Sequence, residues 1–97
     1  MTWSEGLLMV ARDREVTAET LRVLLVILAT AEVDKSTSIS QAEMARILGM
    51  KRQNVNFAIS KLVAKGIISK RIEGGKIFGY RVNEYFGYRP EGKPNND

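Results

Sequence analysis

The sequence contains no cysteine and no histidine. Without cysteine there are no disulfides and no thiolate metal sites, which fits a reducing cytosol. Without histidine, zinc sites and imidazole acid–base chemistry drop out as well. Long apolar runs are also lacking. The longest, Leu21 to Ala31, is interrupted by Arg22 and Thr30 and is too short to span a membrane. The opening Met1-Thr2-Trp3-Ser4-Glu5 has no basic n-region, so no signal peptide is expected. The expectation is a cytoplasmic protein with no membrane partner, no metal and no cofactor.

Enzyme motifs are equally scarce. Gly74-Gly75-Lys76 lacks the spacing and the strand–loop–helix setting of a phosphate-binding loop. Asp13 and Glu15 are two carboxylates that a Mg²⁺ ion can use, but a charged loop is the commoner role for such a pair. Serines and lysines are plentiful, yet none forms a recognisable nucleophile motif. No catalytic residue is named, and an enzyme is not expected.

What is present fits one small folded domain. The chain has 97 residues and an apolar share of 44%, ordinary for a globular protein with a modest core. Its charge is unevenly spread. Residues 1–39 hold four basic and six acidic side chains, a net of −2, whereas residues 40–90 hold ten basic and three acidic ones, a net of +7. Residues 91–97 carry −1. So basic a segment suits a polyanion partner, although a solvated surface has the same composition.

Taken in order, Trp3 to Arg14 contains the short apolar run Leu7 to Ala11, whose length does not separate strand from helix. An extended segment is the expectation here. Thr17 is placed to cap a helix running to about Glu32, with Glu19 set well against the helix dipole. That helix carries two apolar stripes, Leu21/Leu24/Leu25/Leu28 and Val23/Val26/Ile27, where a surface helix needs one. Either the N-terminal segment covers the second stripe within the monomer, or the helix Leu21–Leu28 pairs two copies as a homodimer.

Asp34 to Ser38 reads as a polar connection. Ser40-x-x-Glu43 is a capping box at the start of a short helix carrying Met44, Ala45, Ile47 and Leu48, and Gly49 stops that helix. A second helix begins near Lys51 and ends at Gly66. Val55, Ile59 and Leu62, with Ala58 and Val63, form its inward face. Arg52, Gln53, Asn56, Ser60 and Lys61 fall largely on the opposite side. Ile67–Ile72 and Ile77–Val82 have strand composition, and Glu73-Gly74-Gly75-Lys76 between them is a tight hairpin turn. Asn83–Arg89 is aromatic and irregular.

Helix, turn, helix and two-stranded hairpin make a winged helix-turn-helix: a mainly α fold with a small β-hairpin wing, over residues 1–90, with 91–97 as a flexible tail. A helix of this kind fits the major groove of B-DNA, where residues near its N-terminus reach base edges. The expected base-side residues are Lys51, Arg52, Gln53, Asn54 and Asn56, with Ser60 and Lys61 further along the same helix. Arg can bridge guanine O6 and N7, and Gln or Asn can bridge adenine N6 and N7. Lys70, Lys76 and Arg81 are the expected contacts of the wing, to phosphate or in the minor groove. Phe57 lies off the Val55/Ile59/Leu62 face, and either packs against the wing or touches a thymine methyl.

Ser38-Ile39-Ser40-Gln41-Ala42-Glu43-Met44-Ala45, Leu48-Gly49-Met50, Val55 through Leu62, and Lys65-Gly66-Ile67-Ile68 together resemble the helix-turn-helix of MarR-like and GntR-like bacterial regulators. Over roughly Leu7 to Pro90 the sequence is more closely similar to RepL, a Firmicute plasmid replication protein family. That similarity includes Glu19 to Leu25 and the ending Tyr80-Arg81-Val82-Asn83-Glu84-Tyr85-Phe86-Gly87-Tyr88-Arg89. The resemblance implies a DNA-binding winged helix in plasmid replication or its control. The sequence departs from it with Glu84 where proline is usual, Tyr88 where tryptophan is usual, and Phe57 where a polar residue is commoner; base contact at position 57 is therefore not carried over. The expected function is sequence-specific binding of double-stranded DNA by a dimeric transcriptional regulator or plasmid replication and copy-control protein. An origin-binding replication initiator and a winged-helix module that binds protein are the alternatives. No small-molecule effector can be read from the sequence.

Overall fold

The computed structural model describes residues 3–88; the expected tail at 91–97 lies outside them. The elements follow in the order α1 (Trp3–Arg12), α2 (Ala18–Thr30), β1 (Ser36–Thr37), α3 (Gln41–Leu48), α4 (Arg52–Ala64), β2 (Ile68–Glu73) and β3 (Lys76–Val82), with a final single turn at Glu84–Gly87. The three strands form one antiparallel sheet in the order β1-β3-β2. Four helices and this sheet are the winged helix-turn-helix architecture.

The first segment is helical, not extended. Its inward positions are Trp3, Gly6 and Val10, spaced as one helix face, and they pack on the Glu84–Gly87 turn. The apolar run Leu7–Ala11 misled because Val10 is its one buried member, while Leu7 and Leu8 are exposed. Gly6 is required where it stands: a Cβ there would collide with the Phe86 ring. That ring is fully buried and sits 5.1 Å from Trp3, centroid to centroid. Phe86 reaches the core because Tyr85, Phe86 and Gly87 all have positive φ and turn the chain back.

Thr17 caps α2 as its sequence position suggests, its hydroxyl accepting from the Thr20 N–H at 3.2 Å. The buried face of α2 is Thr20, Val23, Leu24 and Ile27. It takes one residue from the first apolar stripe and two from the second. Leu21 and Leu25 are left exposed, and α1, packed on the last turn, does not cover them.

The connection after α2 holds a third strand. Thr37 lies opposite Tyr80, and its hydroxyl accepts from the Ile39 N–H at 3.2 Å and meets the Thr30 hydroxyl at 2.8 Å. Thr30 in turn donates to the Val26 carbonyl at 2.9 Å. This chain of hydrogen bonds satisfies a buried threonine and ties β1 to the end of α2. Gly79 on β3 has no room for a side chain, because a Cβ there would strike the Thr37 carbonyl oxygen. A strand of two polar residues has no apolar alternation, so it leaves no sequence signal.

The remaining boundaries follow their local chemistry. Ser40 and Glu43 make the reciprocal capping box at α3, and Gly49 ends the helix in the left-handed conformation. In the hairpin Gly74 and Gly75 have φ of 57° and 77°, the pair of positive values that a two-residue turn between twisted strands requires. Met44, Val55, Ile59, Leu62, Ile67, Ile68, Tyr80 and Val82 join the α2 face in a single core.

Candidate nucleic-acid interface

Helix α4 is held against the core by Val55, Ala58, Ile59 and Leu62. At 100° per residue the opposite side is centred on Gln53, Phe57 and Ser60, which are all exposed. Arg52 and Asn56 flank that line towards the wing. Together with Gln41, Ile77 and Phe78 they line a groove between α4, the start of α3 and the hairpin. Asn54 and Lys61 flank it on the other side, beside Thr17 and Glu19 at the start of α2. Lys51 is the N-cap residue of α4 and is exposed, with no side-chain cap bond. The N-terminus of the helix, where backbone N–H groups point outward, lies next to Lys51 and Arg52, a setting that favours phosphate.

Side-chain hydrogen bonds tie the helix pair to its neighbours. The Arg22 guanidinium, from α2, donates to the Leu48 carbonyl at the end of α3 at 2.9 Å. Gln41, the first residue of α3, donates from Nε2 to Asn56 Oδ1 at 3.3 Å and to the Tyr80 hydroxyl at 3.2 Å. Gln41 thus connects α3, α4 and the wing at the candidate surface. Sequence reasoning missed its role, because position 41 falls beside the capping box and the link to Asn56 and Tyr80 is tertiary.

The wing residues divide by sheet face. Lys76 is exposed at the hairpin tip beside Gly75. Lys70 pairs with Tyr80 across the strands, on the face that turns to Gln41. Arg81 alternates with Tyr80 and points from the opposite face. Its Nε donates to the Asp34 carbonyl at 3.3 Å, so the structure does not bring it to the α4 surface. Arg71 lies with its guanidinium 5.3 Å from the Phe78 ring centroid. The wing is more apolar than its lysines suggest, since Ile72, Ile77 and Phe78 are all exposed.

Phe57 does not pack on the wing. It is 58% exposed and borders Thr17, Thr20 and Lys61.

Three of the clearly perturbed titrating groups, Asp13, Lys65 and Tyr88, lie together away from this surface. Lys65 Nζ meets Asp13 Oδ2 at 2.9 Å and Glu15 Oε1 at 2.6 Å, and the Tyr88 hydroxyl donates to Asp13 Oδ2 at 2.8 Å. The hydrogen bonds from Lys65 and then Tyr88 hold the Asp13 carboxyl below the ordinary carboxylate range. The hydrogen bonds from Glu15 and Asp13 raise Lys65, and burial, followed by the bond to Asp13, pushes Tyr88 up to about 12. This cluster clamps the α1–α2 loop to the end of α4 and serves the fold. Asp13 and Glu15 hold a lysine there. Among the described residues, no group of three or more His, Cys, Asp or Glu side chains could hold a metal ion. No helix among them is long and apolar enough to cross a membrane.

Residues 7–78 match the family of Crp-like helix-turn-helix domains. That span runs from within α1 to the middle of the wing and takes in the whole helix pair. No curated protein and no solved structure matches the chain.

Proposed function

The chain belongs to the Crp-like helix-turn-helix domain family, and from that premise we propose that it binds a specific site on double-stranded DNA, as a dimeric regulator of transcription or of plasmid replication and copy number. The observation that carries the reading is the exposed side of α4. It sets Arg52, Gln53, Asn56 and Ser60 on one surface, and these side chains can bond to base edges in a major groove. Lys51, Lys61 and the wing's Lys70 and Lys76 surround that surface with positive charge suited to phosphate. Exposed Leu21 and Leu25 on α2 support pairing of two copies. The plasmid role rests on the sequence resemblance to RepL, and the family match supports DNA binding alone.

The test is to select bound fragments from the source genome and sequence them, then to measure affinity for the recovered site against random DNA. A site preference of 10³-fold or more, the usual order for specific binders, supports the reading. Equal affinity for both sinks it. Recovery of replication origins in place of promoters favours the initiator. If Arg52, Gln53 and Asn56 can be replaced together by alanine without loss of activity, the module binds protein instead.

A further inference from the structure

We propose that Phe57 reads a thymine, its ring receiving the thymine C5 methyl group in the major groove. This deepens the DNA-binding reading above and rests on it.

Phe57 sits at the centre of the exposed side of α4, with Gln53 one turn before it and Ser60 about one turn after. It is 58% exposed, and the fold gains little from an aromatic ring left in water there. Its neighbours do not cover it: Thr17, Thr20 and Lys61 border the ring on one side and leave the outward face free. The other outward side chains in the first two turns, Arg52, Gln53 and Asn56, are all polar. An apolar ring among them suits an apolar target on the same partner.

The major groove offers one such target. The thymine methyl is the apolar group among the base edges, and apolar side chains, Phe included, are its usual partners. The flanking amides point to the same base pair type, since Gln53 and Asn56 match adenine N6 and N7. Adenine and the methyl-bearing thymine are paired, so one A·T pair, or two adjacent ones, can satisfy an amide and the ring together. The methyl is thus predicted in each half-site, beside an adenine.

The test uses the full chain and its selected site. Each thymine in turn is replaced by deoxyuridine, which keeps base pairing and removes only the methyl. The wild type should bind about fourfold more weakly at one thymine per half-site, the worth of one buried methyl group. Phe57→Ala should bind the thymine and deoxyuridine sites alike, while Phe57→Leu keeps part of the discrimination. Phe57 is exposed, so the variants should fold, and circular dichroism checks that they do. The inference is overturned if no deoxyuridine position weakens the wild type, or if Phe57→Ala loses the same factor on both sites. It is also overturned if Phe57→Ala changes the sedimentation coefficient, which would assign the ring to a contact between copies. A wild type that selects no DNA at all removes the DNA-binding reading itself, and this inference with it.

Discussion

Gln41 and Asn56 meet through their side-chain amides, Nε2 to Oδ1 at 3.3 Å, although one opens α3 and the other lies in α4. The same Gln41 amide reaches the Tyr80 hydroxyl on β3. Asn56 is therefore oriented before any ligand arrives, and less rotamer freedom is lost when it binds.

Gln41→Ala should weaken DNA binding through Asn56. The expected loss is about 0.5–1.5 kcal/mol, the net worth of an ordinary hydrogen bond. In an Asn56→Ala background the same change should cost much less. A double-mutant cycle read by fluorescence anisotropy measures the coupling. Strict additivity would mean that Gln41 contacts DNA on its own account, or that it does nothing there.

Gly6→Ala should destabilise the fold, against the helix-propensity expectation. Alanine in a helix interior is worth about 1 kcal/mol over glycine. Here the added Cβ meets the Phe86 ring, which is fully buried and cannot swing away. Overpacking of this kind costs roughly 1–3 kcal/mol, enough to reverse the sign. Urea unfolding measures it, and a midpoint unchanged or raised would show that α1 is not seated on Phe86.

The Asp13–Lys65–Tyr88 cluster should contribute to the pH dependence of stability at both ends. The folded protein holds the Asp13 carboxyl below its ordinary value of 3.8. Its contribution is present above that value and is lost as the pH falls through the lower, folded one. Lys65 and Tyr88 are both raised. Theirs is present below the ordinary values of 10.5 and 10.0, and it declines as the pH rises past them. Asp13→Asn should flatten the acid limb of a stability–pH profile and lower the plateau at neutral pH. A parallel profile for the variant would place the acid sensitivity in another carboxylate.

Much of this arrangement is legible in the chain because it is local. The Ser40/Glu43 capping box, Gly49 and the Gly74-Gly75 turn each act within a few residues, and the structure has them where the spacing puts them. The inward positions of α4 follow from the helical period alone. What was not legible depends on partners distant in sequence. Helix α1 owes its face to Phe86, eighty residues away. Strand β1 exists because β3 offers an edge with a glycine at the close approach. The split of the α2 leucines follows from which side α3 and α4 occupy, and no stripe read along one helix contains that. Gln41 belongs to the same class.

Lys76→Ala and Arg52→Ala should fail in different ways. Lys76 is an exposed charge at the tip of the hairpin, suited to phosphate. Its removal should weaken binding to all sequences alike and reduce the slope of log K against log salt by about 0.9. Arg52 starts α4, where a guanidinium can bridge guanine. Its loss should cost about 1–3 kcal/mol on the selected site and relax the preference at one base pair. Titrations at several salt concentrations, on the selected and a scrambled site, separate the two. A salt slope that Lys76→Ala leaves unchanged would take the wing tip off the phosphate backbone.

Leu25→Glu tests whether the protein works in pairs. Leu25 is 56% exposed and stands one turn from Leu21, on the side of α2 turned away from the core. A carboxylate there reaches solvent in a monomer and should leave the unfolding midpoint nearly unchanged. At an interface between two copies it would be desolvated beside its counterpart, at a cost large enough to part the subunits. Sedimentation should then show the wild type as a dimer at tens of micromolar and the variant as a monomer. On DNA, the wild type should protect two half-sites about 34 Å apart, one helical turn, and the variant should occupy single half-sites with lower affinity. A monomeric wild type that still protects both half-sites would mean that DNA alone brings the copies together. A monomer that occupies one half-site would leave Leu21 and Leu25 without a part in pairing.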